Sequence, residues 1–189
     1  YGDDFLHKLN GQFALAIWDA RRHRVLLARD RVGIAPLFYQ QTAGRLLFAS
    51  EVKALLTLSQ TAPRLDPAAL DQIFTFWAPV SPTTAFADVQ ELSPGQALVV
   101  ENGKLHVWRW WDWQFPQHEA AYLQADENTL AEQLHDLLVD ATRIRLRADV
   151  PVGAYLSGGL DSSVILSLIH HHTDTPLRTF SIGFEHAGL

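Results

Sequence analysis

Val150-Pro151-Val152-Gly153-Ala154-Tyr155-Leu156 leads into Ser157-Gly158-Gly159-Leu160-Asp161-Ser162-Ser163, and Val164-Ile165-Leu166-Ser167-Leu168-Ile169 follows. The first run is short and apolar with β-branched valines, which suits a buried parallel strand. Gly158 and Gly159 let the backbone turn sharply and approach a ligand closely. Asp161, Ser162 and Ser163 fall where a helix begins, the place favoured for capping residues. The whole reads as strand, glycine turn, helix. A helix N-terminus offers unpaired N–H groups and partial positive charge, so it suits an anion such as phosphate. Asp161 is the odd member, because a carboxylate beside phosphates repels them unless a cation lies between. Mg²⁺ would resolve that conflict.

Two familiar phosphate loops are excluded. No lysine follows the glycines, as a Walker-type loop requires. The third glycine of the dinucleotide fingerprint is missing. Ser-Gly-Gly-x-Asp-Ser resembles instead the pyrophosphate loop of ATP pyrophosphatases, which split ATP between its α and β phosphates. The plain alternative is a serine-rich capped turn that binds nothing; the agreement of loop, flanks and capping pattern weighs against it.

Working outward from the loop, Glu127 to Ala148 predicts one long helix. Leu130, Leu134, Leu137, Leu138, Ala141 and Ile144 share a face at helical spacing, which is expected to be core. Downstream, Thr175-Pro176 breaks the chain and Leu177 to Phe184 predicts a second strand. Strand, helix and strand at this spacing make a βαβ unit, expected to be parallel and right-handed.

The residues before Trp113 follow another pattern. Tyr1 to Asn10 reads as the end of a helix, with Gly11 near its C-cap. Strands are expected at Phe13–Trp18 and Arg24–Ala28, joined by a turn at 19–22. Pro36–Gln40 and Arg45–Ala49 predict a hairpin turning at Thr42-Ala43-Gly44. Glu51–Leu58 predicts a short helix. Leu65-Asp66-Pro67 starts another that runs to Phe76, with aspartate at the cap and proline in the first turn. Trp77–Thr84 is proline-rich and irregular. Glu91 to Gly95 predicts a turn, and Gln96–Val100 and Lys104–Trp111 a hairpin about Asn102-Gly103. This antiparallel order lacks the βαβ alternation of a doubly wound sheet. The expected organisation is α+β from 1 to 113, a polar linker from 114 to 126, and the opening of a parallel α/β domain from 127 to 189.

Bulk properties narrow the function. The chain has 189 residues, 48% of them hydrophobic, and a formal net charge of −6. That supports a real core, and the acidic balance without a Lys/Arg run argues against a nucleic-acid partner. No apolar run approaches the roughly 20 residues of a membrane span, and no signal peptide precedes the first strand. A cytoplasmic protein is expected. Cysteine and methionine are both absent, so disulfides and thiolate chemistry are excluded for these residues. Both ends read as cuts in a longer chain.

Leu9-Asn10-Gly11-Gln12-Phe13-Ala14 and Arg29-Asp30-Arg31-Val32-Gly33-Ile34-Ala35-Pro36-Leu37-Phe38-Tyr39 resemble the closing part of a class II, Ntn-type glutaminase domain. Phe48 to Leu55 continues the likeness. Glu91-Leu92-Ser93-Pro94-Gly95 resembles the bridge to a synthetase domain, and Ser157 to Ser163 that domain's pyrophosphate loop. These motifs in this order are similar to glutamine-hydrolysing asparagine synthetases. The resemblance implies that ATP adenylates the side chain of aspartate with release of pyrophosphate, and that ammonia from glutamine attacks the acyl-adenylate. By residue match, Ser157, Gly158, Gly159, Asp161, Ser162 and Ser163 hold the pyrophosphate, Asp161 through Mg²⁺. The backbones of Tyr155 and Ile182, on the two parallel strands, border the adenosine. Such enzymes often pair through the glutaminase side, so a homodimer is implied. The family's cysteine nucleophile is absent here, and Ala35 stands where relatives often carry lysine. No catalytic residue is therefore assigned within the chain, which is expected to be inactive alone. Two rivals stay open: an adenylating enzyme of the β-lactam synthetase type, and a nucleotide-binding module without turnover.

Other features have plainer readings. Arg29, Asp30 and Arg31 are expected to form a local network supporting Gly33. His170-His171-His172 are poor joint metal ligands, because consecutive helical residues point apart. Trp108 and Trp110 are expected on one strand face, Trp111 and Trp113 on the other, packed between two domains.

Overall fold

The computed structural model describes residues 1–42, 44–58, 62–118 and 122–183. It divides into two compact units, Tyr1–Phe115 and Pro116–Leu189.

The first unit is built on antiparallel strands. β1 (Ala14–Asp19), β2 (Arg24–Arg29), β6 (Gln96–Glu101) and β7 (Lys104–Arg109) form one sheet in the order β1-β2-β6-β7. β3 (Phe38–Thr42), β4 (Arg45–Ala49) and the short β5 (Gln90–Glu91) form a second, in the order β4-β3-β5. α1 (Val52–Leu58) and α2 (Pro67–Phe76) lie in the chain between β4 and β5 of this second sheet. The carboxylate of Asp66 accepts from the N–H groups of Ala68 and Ala69, and Pro67 takes the first turn, as the sequence predicts.

β2 is the middle of the core. Its side chains alternate between faces, and both faces are covered. Leu26 and Ala28 join Leu6, Ala97 and Trp110 on one side. Leu27 joins Leu37, Tyr39, Leu92 and Leu98 on the other. Register explains the partners, since Leu27 lies opposite Leu98 and Ala28 opposite Ala97. Leu27 and Leu98 are fully buried, each contributing about 1.5–3 kcal/mol.

Several expectations need correction here. Gly2–Lys8 is a 3-10 helix that ends at Leu9, so Gly11 is not its cap. Glu91 belongs to β5 rather than to a turn; it faces Phe38 across the ladder. β7 stops at Arg109, because the N–H groups of Trp110 and Trp111 both turn to the Gly95 carbonyl, at 2.9 and 3.1 Å. The tryptophans therefore do not alternate between the two faces of one strand. Trp110 is buried in the first unit's own core, with Trp108 and Trp111 packed against the same cluster. Ala43, in the hairpin turn, lies outside the described residues.

The second unit contains α3 (Glu127–Arg145), β8 (Gly153–Tyr155), α4 (Leu160–His172) and β9 (Arg178–Phe180). β8 and β9 pair in parallel from Gly153–Arg178 to Tyr155–Phe180, as a βαβ unit requires. Both strands are shorter than expected. Pro151 and Pro176 lie just before them, and a proline has no N–H for the ladder. The strand expected to be buried is open: Tyr155 is 81% exposed and Phe180 56%, and among the described residues each strand has one neighbour. Ile182 lies beyond β9 rather than on it. Phe184, the expected strand end, lies outside the described residues.

α3 ends at Arg145, three positions before the expected Ala148. Pro151 disfavours helix in the residue before it, and the chain leaves the helix ahead of that point. No residue of the face expected to be core is buried: Leu134, Leu137 and Ala141 are exposed, and Leu130, Leu138 and Ile144 are half-buried. The buried residues of the helix are Val139 and Thr142, outside that set. At about 100° per residue, Leu134 and Leu137 lie on a side of α3 well away from Val139.

Candidate functional site

The loop from Ser157 to Ser163 joins β8 to α4. Leu156 ties it to the sheet by donating its N–H to the Phe180 carbonyl at 2.8 Å. Ser181 Oγ donates back to the Leu156 carbonyl at 2.8 Å. Sequence reading missed Ser181; its signal was a hydroxyl residue just after the second parallel strand, opposite the loop's entry.

Gly158 has φ +82°. That left-handed conformation is the reason for glycine, since a Cβ there would meet nothing within 4 Å. Gly159 differs: its φ of −79° and ψ of 165° suit any residue, and it is the N-cap of α4. The expected capping role of Asp161, Ser162 and Ser163 is therefore corrected. No side chain caps α4. All three residues lie within the first turn, where a hydroxyl reaches back to a carbonyl more easily than forward to an N–H.

The hydroxyls form a closed ring of bonds. The Gly159 N–H donates to Ser157 Oγ at 3.4 Å. Ser162 Oγ donates to the Gly159 carbonyl at 3.1 Å, so Ser157 is the donor in its 3.0 Å bond to Ser162 Oγ. Ser163 Oγ also donates to the Gly159 carbonyl, at 2.8 Å. The first N–H groups of α4 have no intrahelical acceptor and no side-chain cap. They lie beside three hydroxyls and an exposed carboxylate, Asp161. Such a set can take an oxyanion, and the carboxylate can meet a hard cation.

Asp161 fits Mg²⁺ by its donor chemistry. That ion uses one or two carboxylates, with water and phosphate oxygens completing the octahedron. Among the described residues no group of three His, Asp or Glu side chains converges on one point. Tyr155, at the end of β8, and Ile182, beyond β9, are both open to solvent on the side of the loop's strands.

In the first unit the Arg29–Asp30–Arg31 segment is structural in its contacts. Asp30 is 1% exposed. Its Oδ1 accepts from the N–H groups of Val32 and Ile34, and its Oδ2 from those of Phe13 and Ala35. Burial pushes the carboxyl up, but the N–H groups of Ala35, Ile34, Phe13 and Gly33 hold it below its ordinary value. Arg29 donates to the carbonyls of Gly33, Ala35 and Leu92, each at 2.8 Å, and pairs with Glu91 at 2.6 Å. Gly33 has φ +71° and sits against Pro94 and Arg29. The expected support of Gly33 is thus present, with Asp30 bonded to backbone rather than to a neighbouring arginine. Sequence spacing carries no sign of Glu91 as the partner of Arg29.

No helix among the described residues is long and apolar enough to cross a membrane.

Residues 1–111 match the family model of a glutamine amidotransferase domain, and residues 133–188 that of asparagine synthase. The chain is 36% identical over 188 residues to glutamine-hydrolyzing asparagine synthetase 3 of Bacillus subtilis (strain 168), covering 97% of this chain and 30% of that protein. To glutamine-hydrolyzing asparagine synthetase 1 of the same organism it is 34% identical, covering 100% of this chain and 29% of the relative. It is also 36% identical to the amidase chry2 of Gibberella zeae, over 90% of this chain and 25% of that protein. The chain spans a quarter to a third of the length of these relatives. With its amidotransferase stretch followed in order by its synthase stretch, the chain belongs to the glutamine-hydrolysing asparagine synthetase family.

Proposed function

We propose that this chain is the joint of a two-site ligase that makes asparagine from aspartate, ATP and glutamine. Residues 1–113 are the closing part of an Ntn-type glutaminase domain and its connector, 114–126 a linker, and 127–189 the start of an ATP-pyrophosphatase domain. The observation that carries the reading is the uncapped N-terminus of α4 behind Gly158, with the hydroxyls of Ser157, Ser162 and Ser163 at its mouth.

The chemistry follows from what a carboxylate lacks, a good leaving group. An aspartate side-chain oxygen attacks the α-phosphorus of ATP, the bond to the β-phosphate bridge breaks, and pyrophosphate leaves. Ammonia then attacks the acyl carbon and AMP departs. Donors aimed at the departing pyrophosphate lower the barrier, because they favour charge that grows as the bond breaks. In this reading the N–H groups of α4, Gly158 and Gly159 cradle that anion, and the serine hydroxyls donate to it. Asp161 holds Mg²⁺, which when bound offsets the phosphate charge. The backbones of Tyr155 and Ile182 border the adenosine. The 189 residues contain no cysteine, so the thiol nucleophile of glutamine hydrolysis is not among them, and by themselves they are inactive. The reading includes a cytoplasmic setting and a homodimer formed through the glutaminase side.

The likeness to a relative named an amidase, as close as that to a synthetase, favours a second reading: the same scaffold adenylating another carboxylate, as in a β-lactam-synthetase-like enzyme. ATP–pyrophosphate exchange by the full chain, with each amino acid supplied in turn, separates the two. Aspartate-dependent exchange is expected, and Asp161→Ala is expected to weaken Mg²⁺–ATP binding at least tenfold. Exchange with a different carboxylate selects the second reading. Mg²⁺–ATP binding without any exchange refutes both in favour of a binding module.

A further inference from the structure

Away from the loop, α3 and α4 bring two imidazoles together. His135 lies on α3 and His172 ends α4, with ring centroids 5.0 Å apart and planes at 70°. The end of α4 is held in place. The Thr173 N–H and Oγ1 both donate to the Ile169 carbonyl, at 3.1 and 2.8 Å. Arg143 of α3 donates its Nε to the His172 carbonyl at 3.3 Å. Leu168 and Ile169, the turn before, are buried. The backbone that carries His172 is therefore closed locally by Thr173 and tied to α3 by Arg143.

We propose that His135 and His172 form a chelating pair for a divalent transition metal that bridges α3 and α4. Two imidazoles on one ion, at about 2.1 Å per bond and bond angles of about 90–109°, place their ring centroids roughly 4.5–5.2 Å apart. The observed 5.0 Å falls inside that window. Metal-bound histidines usually present their other ring nitrogen to a carboxylate, which fixes the tautomer. Asp136 supplies one, its Oδ1 3.5 Å from His135 Nδ1, so His135 Nε2 is the ligating atom. The His135 side chain is 48% exposed, which leaves an entry path and room for water on the other positions of the ion.

The donor set decides the metal. Imidazole nitrogen suits Cu²⁺, Ni²⁺ and Zn²⁺, with Cu²⁺ bound most tightly. Mg²⁺, which demands oxygen, is rejected, so this pair is chemically distinct from Asp161. His170 and His171 also meet edge to face, at 4.9 Å. They are neighbours on one helix, however, where successive side chains diverge, and a metal on them would link nothing.

The test is titration of the full chain with Cu²⁺, Ni²⁺, Zn²⁺ and Mg²⁺ alone, read by calorimetry, by the Cu²⁺ electron paramagnetic resonance spectrum and by the thermal midpoint. Two-nitrogen coordination and a metal-dependent rise in midpoint are expected, in the order Cu²⁺ above Ni²⁺ and Zn²⁺, while the response to Mg²⁺ is the same in the wild type and in His135→Ala. His135→Ala and His172→Ala should each lower affinity at least tenfold and abolish the rise. His170→Ala and His171→Ala should change neither. His135→Gln, which keeps a polar side chain of similar reach, guards against loss through misfolding and should behave as His135→Ala. Unchanged affinity in the His135 variants, or loss on changing His170 or His171, overturns the proposal.

Discussion

Replacing Asp30 by asparagine changes one atom in the most tightly held turn of the first unit. The carboxylate is buried and accepts four backbone N–H groups: Val32 at 3.2 Å and Ile34 at 3.0 Å on one oxygen, Phe13 at 3.3 Å and Ala35 at 3.0 Å on the other. Asparagine keeps one acceptor and sets an NH₂ against the other two donors. Each buried N–H left without an acceptor costs about 1–3 kcal/mol, and the two retained bonds lose their charge assistance. The expected loss is about 3–5 kcal/mol, a large part of the roughly 5–15 kcal/mol that holds a typical domain. Urea unfolding of the full chain, followed by tryptophan fluorescence, measures it. The pH dependence gives a second readout. The backbone donors outweigh burial and lower the folded-state pKa. The stabilisation is therefore fully present above the unfolded carboxyl value of about 3.9 and is lost as pH falls through the lower folded value. The wild type and the variant should differ at pH 7 and converge in acid. A difference below about 1 kcal/mol at pH 7, or a gap that does not narrow below about pH 4, refutes the assignment of Asp30 as the acceptor that holds this turn.

Gly95→Ala should be severe for another reason. Gly95 has φ +65°, its carbonyl accepts from Trp110 and Trp111, and a Cβ would strike the Trp111 carbonyl; a loss of about 2–4 kcal/mol is expected in the same unfolding assay. Trp110→Phe removes the Nε1 donor to the Arg29 carbonyl, a buried bond of 3.2 Å. A loss of about 1–3 kcal/mol is expected, and a thermal midpoint equal to wild type would show that this bond is not needed.

Local signals were the legible ones. Asp66-Pro67 marked a helix start, and Asn102-Gly103 marked a hairpin; the structure has α2 and the β6–β7 turn at those places. Both depend only on residues within one turn of each other. What escaped depends on partners far along the chain. Glu91 pairs with Arg29 across 62 residues, and the strand it lies on is only two residues long. No periodicity can reveal a strand of that length. The tryptophan segment failed differently. Period-two alternation assumes that the strand continues, and β7 ends when Gly95 captures the next two N–H groups. On α3 the apolar spacing was real, but the side that is buried carries Val139 and Thr142, and Leu134 and Leu137 stay exposed. At the loop, the glycine turn and helix start were readable, while the direction of the serine bonds was not. A hydroxyl in the first turn can serve an N–H or a carbonyl, and only geometry decides.

That direction bears on how the loop would take an anion. Ser157, Ser162 and Ser163 spend their hydroxyl protons within the loop, two of them on the single Gly159 carbonyl. To donate to a phosphate they must rotate and give up those bonds. A neutral bond of this kind is worth about 0.5–1.5 kcal/mol net, and a bond to a charged acceptor about 1.5–3 kcal/mol. The exchange is favourable at each serine and needs only side-chain rotation, because Ser157 and Ser163 are exposed and the backbone already has its turn at Gly158. Without an anion the internal bonds hold the hydroxyls together at the mouth of α4. On the proposed reading, the same three protons would turn outward toward a bound anion. On that reading the serines would serve both states, a role that alanine at any one of them could not fill.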